Sequence, residues 1–162
     1  MKVEVNLDTG EVIQRIEGLE KRVGGGLGPD FAGPAISMEV AAIEREWFET
    51  EGKGSWPPLS PATLASRANR WGYYAHAPAP GVGASGPVLQ WTRRLANSLG
   101  DPRGRGAADA MIRMHPDVLE QGTLVPYARY HMSTRPPVKS LTEKDLDRLR
   151  NVMLLFLEGY LE

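Results

Sequence analysis

An α+β fold is predicted for this chain: a small antiparallel sheet packed against several helices, a long C-terminal helix and long loops. Three observations predict it. Apolar residues recur at three- and four-residue steps in separate stretches, as on one face of a helix. Strand-like alternation occurs in the first residues and on both sides of the turn-forming triplet His115-Pro116-Asp117. Glycine and proline, at 18 and 13 of 162 residues, leave much of the remainder to irregular backbone. A chain of this length buries one core and is too short for two, so residues 1–162 are read as a single domain.

Taken in order, "KVEVNLD" alternates Val3, Val5 and Leu7 against Lys2, Glu4 and Asn6 and reads as a short strand. "TGEVIQRIEGLEKRV" carries Val12, Ile16, Leu19 and Val23 at helical spacing and stops at a glycine cluster. From Pro34 to Thr50, Ile36, Val40, Ile43 and Trp47 form the apolar stripe of a second helix that closes near Gly52. Ser60 followed by Pro61 is the expected N-cap and first-turn pair of a short third helix, with Trp56 plugging the junction before it. The Gly-, Pro- and Ala-rich stretch at 70–88 has no usable period and reads as a flexible loop, a length that is unusual in a compact domain unless the loop binds something. "VLQWTRRLANSLGDP" turns helical again, with Thr92 as cap, Leu95 and Leu99 on one stripe and Gly100 as the stop. Thr142 and Asp145 make a capping box for the last helix, whose stripe is Leu146, Leu149, Met153, Phe156 and Tyr160.

Composition excludes several chemistries. There is no cysteine, so disulfides, thiol catalysis and Cys-ligated zinc are ruled out. The opening residues lack the apolar core of a signal peptide and the longest apolar run, "VMLLFL", is too short to cross a bilayer, which leads to the expectation of synthesis in the cytoplasm and no membrane partner. "GVGASG", from Gly81 to Gly86, spells a dinucleotide-site pattern but lacks the preceding strand and following helix that such a site needs, so no cofactor is expected. His76, His115 and His131 show no metal-ligand spacing, and no Asp or Glu between Gln121 and Thr142 could orient His131 as a catalytic base. Carboxylate pairs such as Glu44 with Glu46, or Glu49 with Glu51, read as a solvated helix face. Neither Ser85 nor Ser98 has a nucleophile-elbow context. Nothing here makes an enzyme.

The net charge of −1 hides an uneven distribution. Residues 1–52 hold eleven acidic and five basic side chains, whereas between Ser60 and Gly106 the basic residues are Arg67, Arg70, Arg93, Arg94, Arg103 and Arg105 and the acid is Asp101. Arginine's planar fork suits bidentate pairing with carboxylate or phosphate. Both a protein partner and a nucleic acid fit that segment, and so does a plain solvated face.

Four segments occur in order: "FETEGKGSWPPLSPATLASR", "VLQWTRRLANSL", "VPYARYHMST" and "RPPVKSLTEKDLDRLRNVMLLFLEGYL". The series resembles the phage virion morphogenesis family, the tail completion proteins of tailed bacteriophages and Mu-like prophages, from about Trp47 onward. Trp56, Pro58, Leu59, Ser60 and Thr63 match the family's W-x-P-L-S/A-x-x-T segment. Leu89, Thr92, Leu95 and Ser98 match I/V-L-x-x-T-G-x-L-x-x-S, with Arg93 standing where the family has glycine. Tyr127, Ala128 and His131 match Y-A-x-x-H-x-x-G, and "MSTRPPVKSL" replaces the family's later glycine-containing segment.

The resemblance implies a non-enzymatic subunit of the virion head–tail junction or upper tail, without cofactor or metal, working as a homo-oligomeric ring around the DNA channel, with a hexamer as one candidate, beside other neck and tail proteins. Tail terminator, head–tail joining and accessory roles stay open. Trp56, Arg93, Arg94, Tyr127, Tyr130 and Arg135 are the expected interface residues, because tyrosine and arginine bring large contact area with a polar tip. The rival reading is a nucleic-acid module in which Arg67, Arg70, Arg103 and Arg105 clamp phosphates and Trp71, Tyr73, Tyr74 and Trp91 stack on bases.

Overall fold

A computed structural model describes residues 9–131 and 141–159, with side chains given throughout except at 9–13, 15, 16, 22 and 73. The fold among the described residues is α+β, with five α-helices and one two-stranded antiparallel sheet. The helices are α1 (Thr9–Gly25), α2 (Gly33–Glu49), α3 (Pro61–Asn69), α4 (Arg94–Gly100) and α5 (Glu143–Glu158); the strands are β1 (Ala110–Met114) and β2 (Leu119–Thr123). The strand expected at residues 2–8 lies outside the described residues, as do Arg135 and Tyr160. At 16 residues, α5 is an ordinary helix rather than a long one.

Local chemistry sets most of the boundaries. Ser60 accepts a hydrogen bond from the Thr63 amide and Pro61 opens α3, as the sequence predicts. Thr142 and Asp145 satisfy each other's backbone amides in a full capping box. The expected cap of α4 is displaced by one position: Arg93 is the N-cap, in left-handed backbone at φ 55°, and its side chain caps nothing. The hairpin turns at His115–Val118 and pairs Ile112 with Gln121 and Arg113 with Glu120.

Helix α2 is the centre of the packing, touching α4, α5 and β2. Its C-terminal end carries Phe48 into a cluster with Trp56, Val88, Leu95, Leu99, Val125 and Ala128. Its N-terminal end carries Ile36 into a second cluster with Ala32 and Phe156, against which Leu149, Val152 and Met153 of α5 pack. Arg148 of α5 spans Glu39 and Glu46 of α2, the latter at 2.9 Å, and Lys53 reaches Asp145 at 3.1 Å. Burial works to raise the Asp145 carboxyl, but the bonds from Thr142 and Lys53 outweigh it and leave it below the usual carboxylate range. Gly52, at φ 70°, is required by Trp56: a Cβ there would stand 2.3 Å from the indole ring.

The solvated carboxylate face is corrected by this packing. Glu46 is held by Arg148, Glu51 accepts the Val88 amide at 2.9 Å, and Glu44 is buried. Glu44 accepts from the Gln121 side chain at 3.1 Å, and Gln121 in turn accepts from the Ser37 hydroxyl. Burial pushes the Glu44 carboxyl up to about 7, against the lowering effect of the Gln121 bond.

The folded chain therefore binds this proton more tightly than the unfolded chain, whose glutamates titrate near ~4.3. Its contribution is complete below that value and is lost as pH rises through about 7. The loss is worth at most about 4 kcal/mol. Urea unfolding between pH 5 and pH 8 should show stability falling with pH in the native chain and falling less in Glu44→Gln. Parallel curves for the two proteins would refute the burial argument.

Candidate functional site

Three of the four segments quoted above, far apart in sequence, meet at one place. Trp56, Leu59, Leu89, Leu95, Tyr127 and Ala128 all belong to the cluster built around Phe48. Ser98 is fully buried and bonded to Thr123 at 2.7 Å. Beside this cluster lies a half-open pocket of about 370 Å³. Leu59 and Thr63 come to it from the first segment, Val88, Leu89 and Trp91 from the second, and Tyr127 and His131 from the third. Tyr74 and Arg67 complete the wall.

Arg67 organises this region. It is 2% exposed, and its guanidinium donates to the Gly86 carbonyl at 2.8 Å and the Pro87 carbonyl at 3.2 Å. It also lies over the rings of Tyr74 and Trp91, 5.4 Å from each centroid. Those two rings meet edge to face at 5.5 Å, and the Trp91 indole donates to the His76 carbonyl. The 70–88 loop thus has fixed points in its second half, where Val82 and Val88 are buried and the Ala79 amide bonds the Trp91 carbonyl. Its first half presents Trp71 to solvent, 65% exposed.

Several expected contacts are corrected by burial. Arg67 is no phosphate clamp on the outer surface, since it is buried against Tyr74 and Trp91 and two of its five N–H groups are bonded to carbonyls. Trp91, 4% exposed, is no stacking platform, and Trp56, packed edge to face on Phe48 at 5.4 Å, is core rather than interface. Arg70, Arg103 and Arg105 do face solvent, Arg70 at the C-cap of α3 and Arg103 and Arg105 in the loop that follows α4. Arg94 pairs within the chain, its Nε 2.6 Å from Asp109, and this bond holds the Asp109 carboxyl below the usual range. Arg93 lines a different cleft, of about 470 Å³, with Arg45, Gln90 and Arg105, and its Nε has no partner among the described residues.

Tyr127 and Tyr130 bracket a short 3-10 turn, Ala128–Tyr130. Tyr127 packs inward and meets His131 edge to face, whereas Tyr130 is 65% exposed. Arg129 stacks on Tyr130, 4.8 Å from the ring centroid, and donates to its hydroxyl. Pro126, Tyr127, Tyr130 and Arg94 wall a cleft of about 460 Å³ there. Arg129 escaped the sequence reading because it breaks no local rule; its pairing with a residue already suspected was the available signal.

The Gly81–Gly86 stretch lies in neither a strand nor a helix N-terminus, and its Val82 is core. Among the described residues no three His, Asp or Glu side chains gather as metal ligands, and no helix is long and apolar enough to cross a membrane.

Arg67→Met should remove the clasp on the second half of the loop and leave two carbonyls unpaired, costing about 3 kcal/mol. Urea denaturation measures the loss, and limited proteolysis should extend from the neighbourhood of Trp71 in the native chain to Val82–Val88 in the variant. Native-like stability and an unchanged digest would show that the clasp is incidental.

Comparison with models of known protein families, with curated proteins and with solved structures finds no match to this chain.

Proposed function

We propose that this protein is a non-enzymatic assembly subunit of a tailed-phage virion, acting at the head–tail junction or upper tail as one member of a ring around the DNA channel. The observation that carries the reading is the convergence of the matched segments. Six matched side chains from three segments share one cluster, and the pocket beside it draws on all three segments. Matched positions that build a common core fit a shared architecture; scattered surface positions would not. The departure at residue 93 agrees with this, because Arg93 adopts φ 55°, a left-handed conformation that glycine takes without strain, and glycine is what the family has there.

The turn at Ala128–Tyr130 is the docking element in this reading. Tyr130 and Arg129 form an exposed aromatic-cationic pair anchored from within by Tyr127, the composition typical of an interface hot spot. Rings arise when such a patch meets a different patch on the next copy and the rotation closes. The nucleic-acid alternative keeps Arg70, Arg103 and Arg105 as exposed cations but loses Arg67 and Trp91 to the interior.

The double variant Arg129→Glu, Tyr130→Ala touches no buried group and should fold normally. In an in vitro head–tail joining assay it should reduce infectious particles by at least about tenfold, as expected for a lost hot spot. Unimpaired joining, together with tight duplex-DNA binding by the native chain that falls steeply with salt, would replace this reading with the nucleic-acid one.

A further inference from the structure

We propose that the pocket beside Arg67 is a binding site for a carboxylate carried on a small apolar body. The inference stands apart from the assembly reading and rests on charge. Arg67 is 2% exposed and lies on the pocket wall, yet among the described residues no carboxylate pairs with it. Its partners are neutral: two backbone carbonyls and the faces of Tyr74 and Trp91. Its Nε is buried with no acceptor at all. Such partners solvate a guanidinium but leave its charge uncompensated, and a buried charge is ordinarily paired.

Among the described residues no carboxylate completes the pair. Glu51 meets the pocket's lining at the Val88 amide and forms no ion pair with Arg67. The stretch that follows His131 contains no Asp or Glu before Glu143. In this proposal an anion arriving from outside is the partner that the described residues do not provide.

The walls select which anion. Leu59, Val88 and Leu89 are aliphatic, and Tyr74, Trp91 and Tyr127 are aromatic, so a ligand must bring apolar surface to the pocket. A phosphate dianion needs several convergent donors and would be poorly served by one guanidinium already bonded to two carbonyls. An organic cation would be repelled by Arg67. A monocarboxylate on a phenyl-sized body satisfies both charge and surface, and at about 370 Å³ the pocket is of a size to hold it. The source is either a free small acid or an acidic side chain of another protein, since both present the same chemistry.

The test uses the native chain, because substituting Arg67 would also loosen the loop. Phenylacetate, its neutral isostere phenylacetamide and the cation phenethylamine are titrated separately while the Trp91 indole and the His131 amide are followed by NMR. Phenylacetate should shift both signals and bind at least about tenfold more tightly than the amide, the margin expected of a charge-assisted contact. Phenethylamine should bind more weakly than either. A parallel arm uses the capped dipeptide acetyl-Phe-Glu-amide: tighter binding than phenylacetate assigns the site to a protein side chain, and binding of phenylacetate alone assigns it to a free acid. Thr63→Phe, which narrows the pocket from α3 while keeping Arg67, should abolish the shifts. Equal affinity for acid and amide, no binding by any probe, or shifts that survive Thr63→Phe would each overturn the proposal.

Discussion

The structure depends on one helix serving two cores. A two-stranded hairpin is marginal on its own, and a chain without disulfides has no covalent brace. Helix α2 meets that constraint by carrying Ile36 into one apolar cluster and Phe48 into the other, so neither forms without it. The remaining elements are placed by reference to this axle. Helix α5 is held along it by Arg148, and α4 is drawn against it where the Arg45 guanidinium grips the Gly100 carbonyl. The hairpin docks through the polar run Ser37–Gln121–Glu44. Burying an acid at that seam makes docking depend on its proton.

What could be read from the sequence was what neighbouring residues decide. The cap at Ser60-Pro61, the capping box at Thr142 and Asp145, and the turn at His115-Pro116-Asp117 each use groups within a few positions of one another. What could not be read was decided by distant partners. Glu44 looked solvated because its bonding partner, Gln121, is 77 residues away. Arg67 looked like a phosphate clamp because the carbonyls that enclose it belong to a loop with no periodicity of its own. Trp56 was placed at a junction correctly, yet facing the core rather than a partner. The candidate site was half legible in the same sense: Tyr127, Tyr130 and His131 could be named, whereas their separation into an inner and an outer set follows only from packing.

That separation gives the 125–131 segment two duties. Val125, Tyr127 and Ala128 fix it to the cluster around Phe48, so the outward Tyr130 and Arg129 stand on a rigid base. A docking residue held in this manner loses little conformational freedom on contact, which favours tight association from a small patch. Under the proposed assembly role, the arrangement suits a subunit that meets its neighbours in one orientation.

Left-handed backbone recurs at Leu89 and Arg93, four residues apart, on either side of the buried Trp91. For residues with a side chain such a conformation costs on the order of 1 kcal/mol each. Between them Trp91 is buried, with its ring against the Arg67 guanidinium. A protein engineer seeking a hardier version of this fold would find its slack here rather than in the core. Glycine at either position would relax the backbone, while the apolar wall that Leu89 contributes makes position 93 the freer of the two to change.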